Sequence, residues 1–372
     1  RQVTWVVARL VSAFGLLARK KESRLQRRAT SIMATRLTHL VERFGKMVET
    51  AKPSAGISPD AQPALLETLH QLLHTLSNSA EADVKEVQPK VEQALTAALL
   101  AGPPPPISRL VAHLFATVYA RGARGTMYAM VETLCAWITN RQSPATSIGA
   151  KVAIMQLLGE LGASHGVAMV NLLHDALEKL LRHTRASELP LRIGAWAALS
   201  AALGGANGAP TATVQEALKA MKQTLGERNA PIDLRIACLQ CVAPLARDSD
   251  ALWQGDMFDS LTGYCIKSCD DSSPQLRAAA AATLADLCVT ALGKPFRTRG
   301  AGGKAGSKKG LKLFEGKKSE AASPIEAVVQ AISSPFLRTG ASKEMRTGLS
   351  RALVSVLTSI KPSELERHAD FL

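Results

Sequence analysis

Apolar positions recur along this chain at helical spacing. Val3, Val6, Val7, Leu10, Val11, Phe14 and Leu17 share one helical face, and Met33, Leu37, Leu40, Val41, Phe44 and Met47 share another. The same spacing predicts helices over 63–77 and 84–101, which lead to Gly102 and four consecutive prolines. From there the pattern becomes periodic. Helices open at Ile107-Ser-Arg109, Gly149-Ala-Lys151, Leu191-Arg192, Leu234-Arg235 and Leu276-Arg277, so a basic residue returns every 41–43 positions. Pro106, Pro190, Pro231 and Pro274 precede their bases by two to four residues, with Pro144 looser before Lys151. A first-turn proline fits there, because its missing N–H would have no helical partner anyway. Partner helices are predicted over 125–140, 166–183, 211–226 and 253–269.

Two helices per unit of about 42 residues lie in the HEAT/armadillo range. The predicted fold is all-α: an α-solenoid, or superhelix, of HEAT-type helical hairpins. Each hairpin is too small to close a core and buries its apolar face on its neighbours. The clearest corner is Asp270-Asp-Ser-Ser-Pro-Gln-Leu-Arg277, followed by an alanine run that admits close helix contact. Asp270, Asp271 and the serines offer capping oxygens. The two acids are expected to pair with Arg277 across their own turn, at ~0–1 kcal/mol if exposed. The next base, Arg346, arrives late; Gly293–Ser323 takes up the excess, a Gly/Lys/Ser-rich stretch with too little apolar surface to fold.

The organisation expected is therefore a basic amphipathic helical segment over 1–52, a linker over 53–62 and a solenoid over 63–292. An insertion over 293–323 and a continuation of the solenoid over 324–372 complete it. Aromatic residues make up only 4% of the chain, which favours helices over strands. The net charge of +14 is concentrated. Bases exceed acids by nine in 1–52 and by eight in 294–318, which leaves the repeats slightly acidic. A solenoid that cradles nucleic acid would carry positive charge along its repeats, so nucleic acid is not an expected partner.

The two basic segments suggest surface contacts. Trp5 and Phe14 can insert into an anionic membrane surface while Arg19, Lys20 and Lys21 face headgroups. A terminal capping hairpin with a solvated basic face is the competing reading. Lys308 and Lys309 belong to a basic patch over 294–318 that reads as lipid-attracting or nuclear-targeting. A flexible surface loop without a dedicated ligand is the competing reading. Leu311 and Phe314 belong to the patch's apolar island, a candidate docking peptide.

Motifs that suggest chemistry lack the context that chemistry needs. Gly162-Ala-Ser164-His-Gly166 matches the hydrolase nucleophile elbow, but a helix precedes it where a strand is required, and it is expected to be an inter-helix loop. His70 and His74 have the spacing of a metal pair, yet Gln71 stands where a metalloprotease needs glutamate. Cys238, Cys241, Cys265 and Cys269 are predicted to lie within helices rather than zinc-binding turns; with Cys135 and Cys288 they read as reduced core thiols of a cytosolic protein. No catalytic residue, cofactor or metal is expected.

Several segments resemble the HEAT repeat-containing protein 5 family, the large accessory proteins of the clathrin adaptor AP-1. They are Asp83-Val-Lys-Glu-Val-Gln-Pro-Lys-Val-Glu-Gln-Ala-Leu95, Gly102-Pro-Pro-Pro-Pro-Ile-Ser-Arg-Leu110, Tyr119-Ala-Arg-Gly122, Lys151-Val-Ala153 with Leu158-Gly159, and Lys343-Glu-Met-Arg-Thr-Gly348. Order and spacing are similar too, over roughly residues 63–372, the family's N-terminal region. Residues 1–52 have no counterpart, and the insertion differs in detail.

The resemblance implies a cytosolic, non-enzymatic scaffold, peripheral at the trans-Golgi network and endosomes, that helps localise AP-1 and supports endosome-to-Golgi retrieval. AP-1 and its accessory proteins are the implied partners; contact with an anionic membrane through the basic segments and a homodimer are separate expectations. The alternatives are a nuclear transport receptor, which needs an acidic inner surface for basic cargo, and a nucleic-acid scaffold using the basic segments.

Overall fold

The structure, a computed structural model, describes residues 35–49, 57–140, 142–205, 209–227, 229–248, 257–292 and 332–367. Among them every regular element is helical. The predicted helix over 3–17, both basic clusters and the whole insertion over 293–323 lie outside the described residues.

The chain forms two compact units, 1–157 and 158–372. The first contains α1 (35–49), α2 (Gln62–Asn78), α3 (Glu81–Leu100), α4 (Pro105–Arg121), α5 (Gly125–Thr139) and the start of α6 (Ile148–His165). The α2 face Leu65, Leu69, Leu72 and Leu76 is buried at the three-four spacing that predicted it, and α2 and α3 both pack on α4. Helix α3 ends at Gly102 with φ +65°, a left-handed position that glycine adopts without strain. A Cβ on Gly102 would stand 2.9 Å from Ser147 Oγ and 3.1 Å from the Ala150 nitrogen. This glycine therefore serves both the turn and the contact with the following corner.

The second unit contains the rest of α6, α7 (Val170–His183), α8 (Leu189–Gly205), α9 (Thr211–Gly226), α10 (Ile232–Gln240), α11 (Val242–Asp248), α12 (Met257–Ser268) and α13 (Pro274–Leu292). After the insertion come α14 (332–336), α15 (Lys343–Ser359) and α16 (Pro362–Arg367). Each second helix packs on its own partner and on the next second helix: α8 on α7 and α10, α13 on α10, α12 and α15. That is stacking of hairpins.

Contact between α6 and α8 is unusually close. Added Cβ atoms would lie 2.9 Å from Ala198 Cα at Gly159 and 2.7 Å from Ala202 Cβ at Gly162. The helix after Pro231 divides at Cys241, so this cysteine occupies a one-residue step and not a helix interior as expected. Pro244 explains the division, since it has no N–H for the Gln240 carbonyl four residues earlier. The hydroxyl of Ser200 on α8 donates to that carbonyl instead, at 3.0 Å.

The stack resumes after the insertion. Ser342 caps α15 by accepting from the Met345 N–H at 2.9 Å, and its hydroxyl donates to the Asp270 carboxylate. Gly348 lies against Cys269, where a Cβ would come within 2.8 Å of the cysteine Cβ. Thus α15 docks onto the corner that precedes the insertion.

Candidate interaction surface

The corner bases do not all work alike. Arg192, near the start of α8, holds both carboxylate oxygens of Glu227 at 2.8 and 3.0 Å, and its Nε donates to the Thr184 carbonyl at 3.2 Å. Arg235 of α10 repeats the arrangement one unit on. It reaches Asp271 Oδ2 at 2.9 Å and Ser268 Oγ at 3.2 Å. Arg277 donates to the backbone carbonyls of Asp271 and Ser272 at 2.8 and 3.0 Å.

The pairing expected inside one corner is therefore mainly a pairing between successive corners. Asp271 serves Arg235 from the preceding unit, and Asp270 serves Ser342 from the following helix. For Arg192 and Arg235 the carboxylate comes from the next corner, whereas Arg277 stays within its own turn and takes backbone carbonyls. The capping expectation is realised by Asp271 Oδ1, which accepts from the Ser273 N–H at 2.9 Å, and by Ser273 Oγ, which accepts from the Leu276 N–H at 3.3 Å. Pro274 opens α13. Arg109 and Arg346 are exposed and Lys151 is half-buried; their side chains take no partner among the described residues.

In the first unit, a group that sequence reasoning missed does the joining. Gln88 of α3 is buried; its Oε1 accepts from the Ala123 N–H at 2.7 Å, and its Nε2 donates to the Ala123 carbonyl at 3.0 Å and to Thr126 at 2.8 Å. Gly122 makes room, because a Cβ there would lie 2.2 Å from Gln88 Oε1. Arg121 reaches back to the Ser79 carbonyl at 2.6 Å. A buried glutamine in an amphipathic pattern is the only signal the sequence offered.

Burial alone would raise the pKa of Asp271. The Ser273 N–H and the Arg235 guanidinium, with Arg277 nearby, outweigh burial and hold the carboxyl below its ordinary range. A depressed folded pKa means the pair's contribution is complete above the unfolded value near ~3.9 and fades as pH falls through the folded value. Arg235→Ala should cost about 1–2 kcal/mol at neutral pH, by urea denaturation. The cost should shrink below about pH 4. An equal cost at pH 7 and pH 3 would refute the ladder reading.

The chemistry-like motifs resolve into packing. Gly162–His165 is the last turn of α6, not the expected loop, and Ser164 is exposed on it with no strand before it. His70 and His74 are exposed on α2, and the His74 ring meets Asn78 at 3.4 Å. All six cysteines are buried, and none forms a disulfide. Burial pushes the Cys269 thiol up to about 11 and Cys288 to about 12, and raises Cys238, Cys241 and Cys265 as well, so they stay protonated. No group of three metal-binding side chains assembles among the described residues.

Two helices of the second unit are poor in acids. Helix α8 contains no acidic residue, and α13 contains one, Asp286. Three residues before each of Arg192 and Arg235, the second unit exposes Leu189 and Ile232; the first unit exposes Ile148 at the same place before Lys151. The predicted contact residues Trp5, Phe14, Arg19, Lys20, Lys21, Lys308, Lys309, Leu311 and Phe314 lie outside the described residues. Among the described residues, no helix is long and apolar enough to cross a membrane.

No protein-family profile matches the chain. It is similar to Protein SWEETIE of Arabidopsis thaliana, with 23% identity over 252 residues, 66% of this chain and 11% of that protein. In structure it is similar to importin beta crystallised from ammonium sulfate, with a TM-score of 0.51 and 14% identity over 89% of this chain and 38% of that one. Importin beta from a polyethylene glycol condition gives the same TM-score at 13% identity, over 89% and 39%. The fold is a HEAT/armadillo α-solenoid. The chain spans well under half the length of each of these proteins. At such identities the structural likeness concerns the fold alone.

Proposed function

We propose that the chain is a non-enzymatic repeat scaffold of vesicle traffic, acting with the clathrin adaptor AP-1 between the trans-Golgi network and endosomes. The observation that carries the scaffold reading is the disposition of charge in the second unit. Corner charges of α8 and α10 are engaged between hairpins, while exposed Leu189 on α8, a helix without acids, and exposed Ile232 on α10 remain for protein contact. Stacked hairpins suit protein partners, because recognition can be spread along many repeats. The AP-1 assignment rests on the collinear segments between Asp83 and Gly348 that resemble the adaptor's accessory proteins.

A nuclear transport receptor is the second reading, favoured by the likeness of fold to importin beta. The scarcity of acids on α8 and α13 weighs against a surface built for basic cargo. Affinity purification from cells tests the proposal. AP-1 subunits should co-purify under mild conditions, and recovery without any adaptor or coat component would count against it.

A further inference from the structure

We draw no further inference here: the strongest candidate, the groove between α1 and α3 where His39, Glu42, Asp83 and Glu86 converge, is an acidic cluster whose Asp83 stays partly exposed, and nothing in the structure shows what covers it.

Discussion

Replacing Gly159 and Gly162 together by alanine is expected to lower the unfolding free energy of the second unit by up to about 4 kcal/mol, two overpacking costs of ~1–3 kcal/mol each less about 1 kcal/mol of helix propensity per site. Two effects oppose each other here. Alanine is the better helix former by about 1 kcal/mol per site, which on an open helix would stabilise. At this seam, however, the new methyl groups would meet backbone: Ala198 Cα at 2.9 Å and its carbonyl oxygen at 3.0 Å, and Ala202 Cα at 2.8 Å. No side-chain rotation relieves a contact with a neighbouring backbone, so α6 and α8 must separate. Sterics therefore win. Gly263→Ala is the control, since nothing lies within 4 Å of its would-be Cβ. Chemical denaturation should show the double variant destabilised and the control unchanged or improved; equal behaviour would mean that α6 and α8 are not in close contact.

Trp196→Ala should cost about 3–5 kcal/mol, the range for truncating a buried aromatic side chain. Trp196 is fully buried in the middle of α8, the helix that joins α7 to α10. Its indole Nε1 has no acceptor among the described residues. A buried donor without a partner is itself unfavourable, so Trp196→Phe removes a cost as well as some contact area. The phenylalanine variant should thus lie within about 1–2 kcal/mol of the parent, for a net cavity cost reduced by the lost donor. Similar losses in both variants would show that the indole nitrogen is satisfied.

These sites also mark what the sequence made legible. Hairpin period, helix positions and core faces followed from local spacing, which survives whatever the neighbours are. Partners of the corner bases did not, because they lie in the adjacent unit. The ladder separations are 35 residues for Arg192 to Glu227 and 36 for Arg235 to Asp271. At those offsets Arg109 meets Pro144 and Ala145, and Lys151 meets Ala186 and Ser187, none of which carries a carboxylate. A search for acids one stacking offset ahead would have distinguished the engaged bases from the exposed ones.

Glycine was misleading for a related reason. Gly162 and Gly166 read as an inter-helix loop, whereas Gly162 lies within α6 and admits Ala202 from a helix 40 residues away. Likewise, Pro244 broke a helix that the apolar pattern alone would have run on. Gln88 was invisible as a joint because its partners, Ala123 and Thr126, belong to the next turn of the stack.

The most direct test of the account is binding between the purified chain and purified AP-1, measured beside Ran loaded with GTP. Saturable binding to AP-1, with none to Ran, is the predicted result. Binding to Ran·GTP with no detectable affinity for AP-1 would contradict it.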